Sequence, residues 1–444
     1  MYAQDSWRVT PHFTVNYGLR WDTTFGLFKA SNRDQLQNPA YLTLQALQIP
    51  LINGAPHDTR DQVGPRLGII YAPGNSEHTV LRAGIGLYYN DLAQNGFVGA
   101  LSAVNAAPGP CTDPVGGTGD NSGCIPGASA GGAGAIISPQ YRTPYALHAT
   151  AGIQHAFNQH WILSADWTHE QGNHAYRGYS YAGGSDIQSP LLPPDPLVQA
   201  DFVPNVDVYR TDNRSTYDAL MIRFQGNTRQ VNFTANYTLA KAQTWGCIVG
   251  ELFDYVNGVC NPLDAFTPQD HGPSGEDVRH RFVLAGTWHA PGGFDVSTLT
   301  QLESARPFTL GDGDVRAIIN GTETSLDQFR GSPYMQVDLR IARPFRFQDR
   351  WSIIPFVDLF NLFNRNNPSN NYVADVGALG FIPPDELGGN ITDICLDAPA
   401  CTQLAPITSL NQLRKPAGAL GDFFGPGTTV GIPFAAQVGV RVNF

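Results

Sequence analysis

Few residues in this 444-residue chain have the types and spacing that chemistry needs. His169-Glu170-Gln171-Gly172-Asn173-His174 resembles a zinc-protease motif, but its histidines stand one residue too far apart for H-E-x-x-H on a helix. It also begins where a predicted strand ends, so it reads as a solvated loop. Gly311-Asp312-Gly313-Asp314 offers oxygens to Ca²⁺ without the spacing or closing Glu of an EF-hand, and reads as a turn. Gly84-Ile85-Gly86 lacks the strand-to-helix context of a dinucleotide fingerprint. There is no G-x-S-x-G elbow, and Glu251 and Asp254 lie in a loop with nothing to fix their separation for glycosidic chemistry. The expectation is a non-enzyme with no cofactor and no metal.

The six cysteines fall as three near pairs, Cys111 and Cys124, Cys247 and Cys260, Cys395 and Cys401, all in predicted loops. Neighbour pairing into disulfides suits an oxidising compartment. Other connectivities remain open, because six cysteines allow 15, and no C-x-x-C spacing favours zinc.

Composition narrows the class. A net charge of −11 argues against a nucleic-acid partner, whose footprint would be basic. Charged residues make up 15%, and 47 Gly and 33 Pro suit many strands joined by turns. No apolar run reaches the length of a transmembrane helix. The mean hydropathy of −0.20 is compatible with membrane strands, which are only half apolar. The amino-terminus lacks the basic and apolar regions of a signal peptide.

The elements that carry these residues are strands. In Ile432 to Phe444 every even position is apolar and several odd ones are polar or small, the period of a strand with one greasy face. The run is long enough to cross a bilayer, although a soluble sandwich strand would alternate equally well. The same alternation recurs over Tyr2–Val9, Phe13–Asp22, Val63–Ala72, Thr79–Tyr89, Tyr145–Phe157, Trp161–His169, Ser215–Gln225, Val231–Ala240, Val278–His289, Phe294–Ser304, Met335–Phe347 and Trp351–Asn361. Tight turns alternate with long loops along the whole chain, among them Glu170 to Asn213 and a loop with a short strand near Val315 to Ile319. A sandwich has no reason to sort loops by parity, whereas outer-membrane barrels have short periplasmic turns and long extracellular loops. The expectation is therefore all-β: a transmembrane antiparallel β-barrel in the bacterial cell outer membrane, in contact with its lipid.

On that reading Arg20, Arg82, Asp166, Arg223, Asp338, Arg340, Asp358 and Arg441 face the lumen. Trp7, Trp21, Tyr89, Trp161, Trp167, Trp288 and Trp351, near predicted strand ends, form an interfacial aromatic girdle. Thirteen strands are counted, with the first and last running the same way, so they cannot close antiparallel on each other. Either a fourteenth strand is hidden, or residues 1–444 are one barrel region that lacks its amino-terminal side.

YAQDSWRVTPHFTVNYGLRWD, GPRLGIIYAP, STYDALMIRFQ, DVRHRFVLAGTW, DLFNLFNRNNPSN and the final VGVRVNF resemble, in order, the barrel of TonB-dependent outer-membrane receptors, with the Oar-like subgroup closest. The resemblance implies a barrel of about 22 strands with a plugged lumen, of which a signal peptide, plug and TonB box have no counterpart in this sequence. It implies uptake of a bulky nutrient, an unidentified extracellular ligand, with TonB engaged only through a plug. It also implies that Val440, Val442 and Phe444 are read by the barrel-assembly machinery. Two other readings stay open: a structural or adhesive surface protein that binds a partner through its long loops, and a soluble all-β carbohydrate-binding or hydrolytic module.

Overall fold

The computed structural model describes residues 1–23, 56–74, 78–90, 134–181, 206–247, 257–262, 264–312, 315–347, 351–368, 372, 393–395, 404–414 and 432–444. One sheet of 17 strands dominates it. Four of these are short additions, at 134–137, 257–258, 271–273 and 345–347. The others form a wall: β1 (Tyr2–Thr10), β2 (Phe13–Asp22), β3 (Gln62–Tyr71), β4 (Thr79–Tyr89), β5 (Tyr145–Ala156), β6 (Trp161–Tyr181), β7 (Val206–Asn227), β8 (Val231–Trp245), β9 (His280–Ala290), β10 (Phe294–Glu303), β11 (Tyr334–Ala342), β12 (Trp351–Phe360) and β13 (Ala435–Asn443).

Each wall strand pairs antiparallel with the next in sequence, from β1–β2 through β12–β13. The result is a meander. β1 and β13 therefore run the same way, and they are not paired with each other among the described residues. The turns at 11–12, 72–78, 157–160, 228–230, 291–293 and 343–350 all lie at one end. The strand ends joined through 23–61, 90–144, 182–205, 246–279, 304–333 and 361–434 are all at the other.

The register sorts side chains cleanly because paired residues share a face. One row runs Tyr17, Leu67, Ile85, Ala149, the next Gly18, Arg66, Gly86, His148. Carried across the wall, the first kind of row collects Leu19, Ile69, Ile153, Trp167, Ile222, Leu239, Leu302, Ile341, Val357 and Val440, all of them exposed. A sheet face that leaves this much apolar surface uncovered needs an apolar surrounding. The polar face carries the arginines, carboxylates and glycines.

Two sequence expectations are corrected. The stretch read as a loop from Glu170 to Asn213 is strand at both ends, because β6 continues to Tyr181 and β7 begins at Val206. His169–His174 thus lies within a strand. Above the apolar band a strand needs no greasy face, so alternation fades while pairing continues. The ladder shifts register around Asn173 and Ala175, with His174 at φ 58°. The bulge re-aims the side chains that follow.

Candidate functional site

The polar face is laced by cross-strand charge pairs. Arg82 on β4 reaches Asp166 on β6 through two bonds, Nε–Oδ1 at 2.8 Å and Nη2–Oδ2 at 2.6 Å. On β12, Asp358 takes two bonds from Arg340 of β11, whose guanidinium also lies 4.4 Å from the Phe356 ring centre. Asp338 accepts the Asn361 backbone N–H at 2.8 Å, Arg223 donates to Asn236 at 3.0 Å, and Arg20 pairs with Asp22 at 2.7 Å. Arg441 is exposed opposite Ile354. All eight residues expected in the lumen stand at polar-face register positions. Sequence reasoning passed over Arg281–Glu303 (2.9 Å) and His148–Glu170 (3.5 Å) on the same face; strict alternation along β9 and β10 could have shown the first. A cavity of about 600 Å³ spans β1 to β5 on this side, floored by Gly18, Gly68, Gly84 and Gly86 and walled by Arg66, Tyr88 and His148.

The seven aromatics all stand on the apolar face. Trp7, Trp161, Trp288 and Trp351 lie toward the turns; Trp21 and Tyr89 lie toward the long connections. Trp161 packs with Phe224 and Phe233, and Trp351 with Phe444. Trp167 is not at a strand end, because β6 runs on beyond it; it stacks on His169. From Phe13 to Trp21 is about 26 Å of strand, or about 20 Å of height at a tilt of ~40°, close to the apolar band of an outer-membrane barrel. Val440, Val442 and Phe444 are exposed on the same face.

Beyond the band the described parts of the long connections build a packed layer. The disulfide joins Cys247 to Cys260, and 257–258 pairs parallel with Arg177 and Gly178 of β6. Residues 134–137 pair parallel with β7. Each outer edge of the protruding β6–β7 hairpin is thus covered by the connection rooted on the opposite side. Cys111, Cys124 and Cys401 lie outside the described residues, as do Glu251, Asp254, Gly313 and Asp314. The backbone of Cys395 lies in a short strand, Asp393–Cys395, rather than in a loop.

Connection 304–333 folds into two short hairpins enclosed by a third ladder, 307–308 with 329–330, and its core is Leu310 and Ala317 with Ile407 and Leu413 of the last connection. Its seat on the wall is Gly272, where an added Cβ would lie 2.0 Å from the Leu326 carbonyl oxygen. Gly272 pairs with Thr244, a polar-face position of β8, so the hairpins sit over the polar side. A buried ion pair and a half-buried one hold them. Arg316 binds Asp270 and donates to the carbonyls of Gly246 (2.8 Å) and Cys247 (3.1 Å). Arg330 binds Asp277, whose carboxylate also takes Arg279 (3.0 Å) and the Ala242 N–H (2.7 Å). Burial pushes the Asp327 carboxyl up to about 7, against the pull of Thr309 and Arg330 and with a further push from Asp277. Arg177 is fully buried, with Nη1 on the Ala265 carbonyl at 2.7 Å and the Phe266 ring at 4.7 Å. Burial lowers its pKa and raises that of Tyr179, which donates to Asp212. His169 and His174 hold separate partners, Asp218 and the Thr211 carbonyl.

Comparison with known proteins places this geometry. Residues 1–326 match the family described as "Outer membrane beta barrel domain". No curated protein matches the chain. Among solved structures, the outer membrane transporter YddB of Escherichia coli is similar at 13% identity and TM-score 0.48, over 81% of this chain and 40% of that one. The ferric-catecholate import receptor Fiu of E. coli K12 follows at 15% and 0.44, over 83% and 40%. The ferripyoverdine receptor of Pseudomonas aeruginosa stands at 11% and 0.44, over 83% and 35%. The chain thus spans about two fifths of the length of these structures.

Proposed function

The chain belongs to the outer membrane beta-barrel domain family, and from that premise we propose that it is barrel wall from a TonB-dependent receptor of the Oar-like kind. The wall stands in the bacterial outer membrane with its apolar face in lipid and its polar face toward the lumen. One observation carries the proposal: every long connection leaves the same end of the wall, and the described parts of connections 246–279, 304–333 and 361–434 pack into a layer seated on the polar side. A layer there meets an arriving solute before the lumen does. The ordered likeness of the strand sequences to TonB-dependent receptors supplies the rest of the reading, including a plug encoded elsewhere in the protein.

In this account the layer receives a bulky nutrient, and the plug, coupled to TonB, releases it inward. The arginines and carboxylates of the lumen face would hold the plug or water. Uptake screening of nutrients in cells with and without the gene, each with and without functional TonB, tests the proposal. Loss of uptake of the same solute on removing either component is expected. A solute-independent loss of surface attachment that ignores TonB would instead favour an adhesive protein.

A further inference from the structure

The apolar face is free of charge over most of the wall. On β2, β3, β4, β10, β11, β12 and β13 no apolar-face strand position holds Asp, Glu, Lys, Arg or His. Asp5 of β1 and His155 of β5 also stand on this face, while on four adjacent strands such residues share one height. His169 of β6, Asp218 of β7 and Lys241 of β8 are consecutive register partners in a single row, and His280 of β9 stands one step diagonal to Lys241. Trp161 to His169, and Trp288 to His280, each cover about 26 Å of strand, which puts the group at the edge of the apolar band on the long-connection side.

We propose that His169, Asp218, Lys241 and His280 form a binding site on the outer wall for the phosphate of an anionic membrane lipid. Lys241 is the one lysine among the described residues, and it is exposed. It stands directly opposite Asp218 and no ion pair joins the two; Asp218 Oδ1 accepts from His169 at 2.8 Å. The ammonium therefore remains available to a phosphate. His169 is held from below by the stacked Trp167 ring, and His280 by the Tyr237 hydroxyl at 2.8 Å. His169 gives its Nδ1–H to Asp218, and the His280 ring stands at the same edge. Beneath the row lie exposed Trp167, Leu220 and Leu239, continuous with the lipid-facing band, where the acyl chains of the same lipid would pack. Polar above and greasy below is the profile of a lipid headgroup rather than of a protein partner, which would meet both levels with side chains.

The test uses the full chain reconstituted in phosphatidylcholine containing a minority of phosphatidylglycerol, with the lipids retained after extraction counted by native mass spectrometry. Wild type is expected to retain phosphatidylglycerol preferentially. Lys241→Gln should lower that preference about fivefold, the effect of one lysine at a membrane surface, and Lys241→Arg should keep it. His155→Gln, at the opposite end of the same face, should change nothing. Circular dichroism of each variant checks the fold, and the exposed Lys241 side chain leaves it unchanged. Equal retention by wild type and Lys241→Gln overturns the proposal. So does displacement of the lipid by inorganic phosphate in a Lys241-dependent manner, which would mark a free-anion site.

Discussion

Arg82 and Asp166 are joined by two hydrogen bonds although they stand on β4 and β6, with β5 between them. The residue they cross is Gly152, the register partner of both. A Cβ at Gly152 would fall 1.9 Å from Asp166 Oδ1 and 3.2 Å from Arg82 Nε. The pair is half-exposed, so its own net worth is about 0–1 kcal/mol.

Gly152→Ala should therefore cost more than losing the pair, about 1–3 kcal/mol, because it forces both side chains off the wall. In an Asp166→Ala background the same substitution should cost little. Denaturant midpoints of the four variants in detergent give the coupling. Equal cost of Gly152→Ala in both backgrounds would show that the glycine serves something else.

Arg316→Met should loosen the loop-side layer without touching the wall. It strands the buried Asp270 carboxylate and the carbonyls of Gly246 and Cys247, a loss of about 3–5 kcal/mol. Hydrogen exchange should quicken in residues 264–279 and 315–331 while β9 and β10 stay protected. Adding Asp270→Asn should restore much of the protection, since the uncompensated charge is then gone.

Asp327 sets a pH dependence with a definite sign. Its carboxyl titrates near 3.8 when exposed and at about 7 in the folded layer, chiefly through burial. Between those values the folded layer holds a proton that the unfolded one has lost, so its stability falls as pH rises through this window and levels off above about 7. Asp277 and Arg330, the charged neighbours, form an ion pair with each other. Exchange protection of residues 307–330 should be greater at pH 5 than at pH 8 in wild type, and equal at the two in Asp327→Asn. A wild type more protected at pH 8 would reverse the assignment.

The wall was legible in the sequence because a bilayer enforces alternation at every residue it touches. Leu81, Ala83, Ile85 and Leu87 had to be apolar while Arg82, Gly84 and Gly86 did not. Parity of the connections was legible for the same reason, since turns and loops face different spaces. What alternation could not show lies above the band. From Glu170 to Tyr181 the strand has no lipid to satisfy, so Tyr176 and Tyr179 are buried against the layer and the pattern breaks at His174. The hairpins of 304–333 are held by Arg316 and Arg330 reaching residues 46 and 53 positions away, which local periodicity does not encode. Arg82 and Asp166 were each legible as polar-face residues; their joining through Gly152 depends on the register of three strands.

Odd positions of β11 face lipid and even positions face the lumen. A nitroxide side chain introduced in turn at 335 through 342, in the reconstituted full chain, reports collision with oxygen and with a water-soluble nickel complex. Strict alternation is expected: oxygen at 335, 337, 339 and 341, nickel at 336, 338, 340 and 342. Uniform accessibility along the strand, or burial from both reagents at the odd positions, would contradict it.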